Sequence, residues 1–187
     1  MTKSNKIVLI IGVIVVVLVA SIIGSYNGMV TSRVNVTTQQ SNIDTVLQRR
    51  ADLIPNIVST VKAYAKHETE IFTSISTSRA TMMGAGTTKD KLNADTNLTA
   101  GLGKLMAVAE AYPDLKANTQ FTALTTELEG SENRVSVARK NYNDAAGSYN
   151  TKISTFPKNI IASIFGFKQA EFFKAASGTN VVPKVTF

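Results

Sequence analysis

A stripe of apolar residues between positions 43 and 75 constrains this chain more than any other feature. Its members recur at alternating steps of three and four: Ile43, Leu47, Ile54, Ile57, Val61, Tyr64, Ile71 and Ile75. That spacing places them along one side of an α-helix, where they need the apolar surfaces of partner helices. The stripe therefore predicts a coiled coil or a helical bundle.

Arg50, Pro55 and Glu68 interrupt this stripe. A proline inside a helix removes one backbone hydrogen bond and bends the axis. Because the apolar spacing continues across Pro55 without a change of phase, we predict one kinked helix over residues 42–79. In the alternative, Asp52 caps a second helix that begins at the next residue.

The two charges in the stripe need partners. Arg50 and Glu68 lie 18 residues apart, which is about 27 Å along a helix, so they cannot pair with each other. A buried charge without a partner costs several kcal/mol. We expect Arg50 to meet a carboxylate from a facing helix and Glu68 to meet a Lys or Arg. The alternative is that Arg49 and Arg50 hold an acidic lipid or a phosphate.

Residues 7–26 form an uncharged and almost wholly apolar run, which begins IVLIIGVIVVVLVASII. As a helix, about 20 residues cross the roughly 30 Å of a bilayer's hydrocarbon core. A cleaved signal peptide is the alternative, but the run exceeds the usual apolar length of about 7–15 residues and no convincing cleavage site follows. We predict a retained transmembrane anchor that ends at an interfacial Tyr26.

Lys3 and Lys6 precede the anchor, and Arg33 alone lies close after it. The positive-inside rule then predicts a cell-membrane protein with a short cytoplasmic N-terminus, residues 1–6, and an extracytoplasmic remainder. We divide that remainder into a polar juxtamembrane stalk, residues 27–42, and a helical bundle, residues 43–187.

Within the bundle, the apolar pattern dissolves over residues 81–96, which we predict to be a flexible loop. A weaker helix follows and ends near Pro113. Asn118 is a candidate N-cap for a long third helix whose stripe runs from Phe121 to Phe156. A cluster of four later phenylalanines is expected to cap the bundle, with contact to a membrane or partner as the alternative: Phe165, Phe167, Phe172 and Phe173.

Little in the chain suggests catalysis. There is no Cys, and the single His67 precedes Glu68 as in zinc proteases, but Ile71 stands where their second His belongs. We predict no catalytic residue, no cofactor and no metal. The charge of +7 favours anionic surfaces, whereas 7% aromatic residues without Trp are a poor supply for base stacking. We therefore expect no nucleic-acid partner.

Six residues remain as structural or interaction candidates: Arg50, Asp52, Pro55, Glu68, Tyr142 and Tyr149. The two tyrosines, each followed by an asparagine, repeat at a seven-residue interval. A pair of core tyrosines is the plainer interpretation, and a functional site is the alternative.

Several strings in family order resemble those of LemA proteins: Ile43-Asp44, Gln48 to Val58, Thr60 to Tyr64, His67-Glu68, Tyr112 to Asn118, Glu132-Asn133-Arg134, Ala138-Arg139, Tyr142-Asn143, Tyr149-Asn150 and Phe156-Pro157. The resemblance covers nearly the whole chain, and the polar loop around residues 84–96 is its main departure. It implies a bacterial-type, single-pass envelope protein with an elongated antiparallel helical bundle. It implies no settled biochemical activity.

These observations predict an all-α protein in which a transmembrane helix precedes an antiparallel bundle of three to four helices. The predicted partners are the lipid bilayer, through residues 7–26, and one or more proteins. We expect a non-enzymatic scaffold or an accessory to other membrane or envelope proteins. The alternative is an extracytoplasmic sensor or receptor domain that binds a small ligand between helices. The oligomeric state stays open.

Overall fold

The computed structural model describes residues Lys3–Phe173, and within them it contains helices and no strand. The helices are α1 (Lys3–Lys62), α2 (Thr69–Gly84), α3 (Thr88–Ala109), α4 (Pro113–Lys116), α5 (Thr119–Ser154) and α6 (Lys158–Ile164). The predicted all-α class, with a long apolar N-terminal helix, is confirmed. The described residues divide into two compact units, one formed by residues up to Gln39 with Tyr142–Phe172, and one by Gln40–Asn141 with Phe173.

Side-chain contacts give the direction of each long helix in the second unit. Positions 40, 44 and 50 of α1 meet positions 88, 91 and 95 of α3, so these two helices run parallel. Positions 49 and 64 of α1 meet positions 127 and 118, so α5 and its N-cap run the opposite way. Helix α2 forms a hairpin with α3. The unit is therefore an antiparallel four-helix bundle.

Most of the predicted stripe forms the core of this bundle. Six of its eight members are buried, whereas Tyr64 is exposed and Ile71 is intermediate. From α5, the buried side chains include Phe121, Leu128 and Val135. Burying these apolar faces together is what stabilises helices that could not persist alone in water.

Local capping sets where two of the helices begin. Asn118 accepts a hydrogen bond from the backbone N–H of Phe121 at 2.9 Å, which confirms it as the N-cap of α5. At the start of α3, the Thr87 hydroxyl accepts from the N–H of Asp90 at 3.1 Å and donates to its carboxylate at 2.7 Å. This reciprocal pair begins α3 well before the position that the apolar pattern indicates.

The single helix predicted over residues 42–79 is wrong. Helix α1 ends at Lys62 and α2 begins at Thr69, and the backbone N–H groups of Tyr64 and Ala65 both donate to the Val61 carbonyl in the turn between them. The apolar pattern changes phase in this turn, as shown by the burial of Ala65 in place of Tyr64. The alternative start near residue 53 is also wrong, since α1 runs through it unbroken.

Pro55 lies inside α1, exposed at the surface. Because proline has no N–H, the carbonyl of Ala51, four residues earlier, loses its helical donor. Arg79 of α2 replaces that donor, with its Nε donating to the Ala51 oxygen at 2.8 Å. The helix is continuous at Pro55 because a side chain from a neighbouring helix completes its hydrogen bonding.

The flexible loop predicted over residues 81–96 is wrong in extent. Helix α2 continues to Gly84 and α3 starts at Thr88, so only residues 85–87 connect them. Met82 and Leu92 lie in the predicted loop but are buried. The segment looks irregular in sequence because its threonines and glycines are poor helix formers, and tertiary burial overrides that preference.

In the other unit, residues of the predicted stalk are helical and belong to α1. Met29 and Val36 are buried there. Lys152 of α5 donates a hydrogen bond to the Gly28 carbonyl at 3.2 Å and contacts the Ser32 hydroxyl. This segment is thus a packed element, which the polar composition alone does not indicate.

Candidate functional site

Arg50 is the most deeply buried charged residue of the four-helix bundle, with 2% of its surface exposed. Its Nη1 lies 3.0 Å and 3.1 Å from the two carboxylate oxygens of Asp95 on α3 and also contacts Glu132 on α5. Its Nη2 donates to the Thr99 hydroxyl at 3.0 Å. Residues from α1, α3 and α5 therefore converge on one guanidinium, which has the facing carboxylates expected of a buried Arg.

The partners of Arg50 sit in different environments. Asp95 is buried with the guanidinium, whereas half of the Glu132 side chain is exposed. Burial raises the pKa of the Asp95 carboxyl to about 6, the Arg50 charge opposes this rise, and Glu132 adds to it. Arg139 is a second basic residue that lowers the pKa of Asp95, with a smaller effect than Arg50.

Hydrogen bonding within this cluster is incomplete. Among the described residues, neither the Nε of Arg50 nor the Oδ1 of Asp95 has a hydrogen-bond partner with good geometry, although Oδ1 lies in ion-pair range. The Thr99 hydroxyl itself donates a hydrogen bond to the backbone carbonyl of Asp95 at 2.9 Å. The cluster joins three helices, and its residues line neither the cleft beside Phe72 nor the small cavity beside Met82.

The other predicted candidates of α1 and its turn do not join Arg50. Asp52 is exposed and accepts a hydrogen bond from Gln48 at 3.0 Å on the same helix. Glu68 lies in the turn before α2, and no Lys or Arg of the described residues forms an ion pair with it. The expectation of a basic partner for Glu68 is wrong, because the chain leaves the helix before that position and its side chain stays partly exposed at the N-terminus of α2.

Tyr142 and Tyr149 lie in the other unit, where they hold the segment that follows α6. Their hydroxyls donate to the carbonyls of Glu171 and Lys168, at 3.0 Å and 2.9 Å. Asn150 exchanges two hydrogen bonds with the Ala170 backbone, at 2.8 Å and 2.9 Å. Burial raises the pKa of both tyrosines above the ordinary value of 10.0, which is itself far above neutral pH, and both hydroxyls are therefore protonated donors. The seven-residue repeat places these side chains one above another along a single extended segment.

Sequence reasoning did not connect Asp95, Thr99 or Glu132 with Arg50, whereas it noted the asparagine that follows each tyrosine. Asp95 falls inside the region predicted to be a loop, so nothing in the sequence indicated that it lies on a helix opposite Arg50. Glu132 belongs to a string that resembles the family, but the sequence does not indicate that it faces Arg50. The described residues contain no group of three or more side chains that could hold a metal ion, and His67 is exposed.

One described helix, α1, is long and apolar enough in the part that begins at Ile7 to cross a membrane, and none of that stretch is buried. An exposed run of Val, Ile and Leu of this length would be costly in water. Its composition and length place the protein at a membrane.

Known proteins resemble this chain over most of its length. The sequence model of the LemA family matches residues 39–187. Magnetosome protein MamQ 1 of Paramagnetospirillum magneticum is 31% identical over 201 aligned positions, which cover 92% of this chain and 74% of that protein. Protein LemA of Metamycoplasma hominis is 25% identical over 155 positions, covering 82% of this chain and 71% of its own. Neither name denotes an enzyme, and the chain is a membrane-associated helical protein of the LemA family.

Proposed function

We propose that this protein is a membrane-anchored, non-enzymatic scaffold or accessory that acts through contacts between the outer surface of its bundle and another membrane or envelope protein. The observation that carries this proposal is that the buried guanidinium of the bundle is already paired within the bundle. The guanidinium of Arg50 is occupied by Asp95, Glu132 and Thr99, which are side chains of the bundle itself. The outer surface is what is left for recognition.

Site-specific photocrosslinking in native membranes tests the scaffold proposal. A photoreactive amino acid is introduced singly at three exposed positions on different helices, Ser74, Asn97 and Ser136. A scaffold presents one face to its partner, so we expect one or two positions to give a discrete adduct with the same protein and the others to give none. Adducts at no position, or equal and heterogeneous adducts at all three, would contradict the proposal.

The proposed orientation places the N-terminus in the cytoplasm and the bundle outside, following the lysines before the span. The chain has no Cys, so a single Gly86→Cys substitution in the exposed connection between α2 and α3 reports its side of the membrane. We expect a membrane-impermeant maleimide to label this Cys in intact cells. Labelling only after the membrane is broken would show that the bundle lies on the cytoplasmic side and would contradict the proposed orientation.

A sensor is the second candidate, and a cleft in the bundle favours it. The cleft lies between the end of α1 and α2, has a volume of about 450 Å³ and is lined in part by Lys62, Thr69, Phe72 and Thr73. Its size is typical of small-molecule sites, and one ammonium among hydroxyls suits a small carboxylate. A carboxylate that raises the melting temperature of the wild type but not of a Lys62→Met variant would favour the sensor over the scaffold.

A further inference from the structure

Helix α6 presents an apolar side that no described residue covers. Ile160 and Ile164 lie four residues apart in α6 and are 52% and 73% exposed, and Phe156 before the helix and Phe165 after it are 75% and 54% exposed. Side chains four residues apart share one side of a helix. The opposite side, at Ala162, is buried. Helix α6 thus packs through Ala162 and turns an apolar side outward.

Aromatic contacts fix where this apolar side lies within its unit. The ring of Tyr26 is 4.9 Å from the Phe165 ring and 5.6 Å from the Phe167 ring, measured between centroids. Tyr26 ends the apolar run of α1, at the level where a transmembrane helix passes from hydrocarbon to headgroups. The outward side of α6 therefore begins at the level of the headgroups.

The charges nearest to α6 in the sequence are basic, and the acidic residues Asp144 and Glu171 lie just outside this stretch. Residues 145–170 include Lys152, Lys158 and Lys168 and no Asp or Glu, and residues 26–39 include Arg33 and no acidic residue. The Arg33 guanidinium lies 5.4 Å from the centre of the Phe167 ring. Basic residues beside exposed Phe and Ile are the composition of helices that lie in the interface of anionic membranes.

We propose that α6 and its flanking phenylalanines form a second membrane contact, which lies in the headgroup region of an anionic bilayer beside the transmembrane span. The contact would fix how the end of the unit rests on the bilayer. A second protein is a poorer occupant, because the outward side of a seven-residue helix is far smaller than the roughly 800 Å² that each partner of a stable protein interface buries. The proposal rests on the membrane anchoring in the proposed function.

Single-Cys labelling of the full chain tests this contact. Ile160→Cys or Ile164→Cys carries an environment-sensitive fluorophore in vesicles of phosphatidylcholine with about a third phosphatidylglycerol, and exposed Thr122→Cys in α5 is the matched control. We expect the α6 labels to emit further to the blue and to be quenched by acyl-chain nitroxide lipids about twofold or more over the control. Changing Lys158 and Lys168 to Gln should reduce this quenching to its level in pure phosphatidylcholine.

Vesicle flotation separates the failure of this proposal from the failure of the anchor. If the labelled chain floats with the vesicles but its α6 labels emit as in water, the second contact is wrong and the anchor stands. If the chain does not float, the anchor itself is wrong. In a third outcome, the emission shifts to the blue without lipid quenching, and the shift grows with the protein-to-lipid ratio. This would mean that a second copy of the chain covers α6, and would overturn the lipid contact.

Discussion

Replacing Arg50 by Met is expected to destabilise the bundle by about 3–5 kcal/mol at neutral pH. The substitution keeps much of the side-chain volume but removes the guanidinium that forms ion pairs with Asp95 and Glu132. Asp95 is then a buried carboxylate beside a second carboxylate, and of the two arginines that lower its pKa only Arg139, the weaker, remains. Chemical unfolding of the detergent-solubilised chain, followed by circular dichroism, measures the loss.

Arg49→Met is the matched control, because the neighbouring arginine is 59% exposed and its pair with Glu127 spans 3.4 Å. An exposed pair of this kind contributes no more than about 1 kcal/mol. Equal losses for the two variants would show that burial of Arg50 has no special role.

The loss caused by Arg50→Met is also expected to depend on pH. Burial already raises the pKa of Asp95 to about 6, from 3.8 when unperturbed, and removing Arg50 takes away the larger of the two charges that oppose this rise, leaving Arg139. A carboxyl with a raised pKa in the folded state favours folding when it is protonated, and that contribution is lost as the pH rises through its folded pKa. The difference between the variant and the wild type should therefore be smaller at pH 4 than at pH 7. A loss that is constant across this range would contradict the assignment of Asp95.

Replacing Arg79 by Met is expected to cost about 1–3 kcal/mol, because it leaves the Ala51 carbonyl without a donor. Ala51 is fully buried, so water has poor access to its backbone oxygen. Pro55 is the reason that the carbonyl needs a side chain. We therefore expect the loss to shrink in a Pro55→Ala background, where the restored backbone N–H can donate to the same oxygen.

A double-mutant cycle between positions 55 and 79 measures this coupling. The free energy of unfolding is measured for the wild type, both single variants and the double variant. The interaction energy from these four values should show that Pro55 and Arg79 stabilise the bundle more together than separately. Arg134→Met serves as a control, since that arginine is exposed and pairs with Glu127 at 3.4 Å. A cost of Arg79→Met that is unchanged in the Pro55→Ala background would show that Arg79 stabilises the bundle through other contacts.

The sequence predicts the class of fold well because apolar spacing reports which side of a helix is buried. The stripe from Ile43 to Val61 and most of the stripe of α5 lie in the cores of their units, and Asn118 caps α5 as its residue type predicts. The predicted end of the α5 stripe is wrong, because α5 ends at Ser154 and Phe156 is exposed. These features are local, so one segment carries enough information to identify them.

The turn between α1 and α2 is not predictable in the same way. Residues 63–68 contain no Gly or Pro, and Pro55, the nearest helix breaker, does not end α1 because Arg79 compensates for it. Likewise, the pairing of Arg50 depends on which helix faces it. The sequence indicates that Arg50 needs a carboxylate, but Asp95 becomes its partner only because the chain folds into a helix where its residues favour a loop. Such contacts join distant positions, and local periodicity does not report them.

The scaffold proposal holds that the buried charges serve the fold and that the outer surface serves the function. The variant Arg50→Met with Asp95→Leu tests this most directly, because it replaces the buried pair by apolar side chains, a change that is often neutral or stabilising. We expect the denaturant concentration at which this variant unfolds to be at least as high as that for Arg50→Met alone. We also expect it to form the same photocrosslinked adduct as the wild type, in the same yield. A variant that folds normally but loses the adduct would show that the buried cluster takes part in recognition, and would contradict the account.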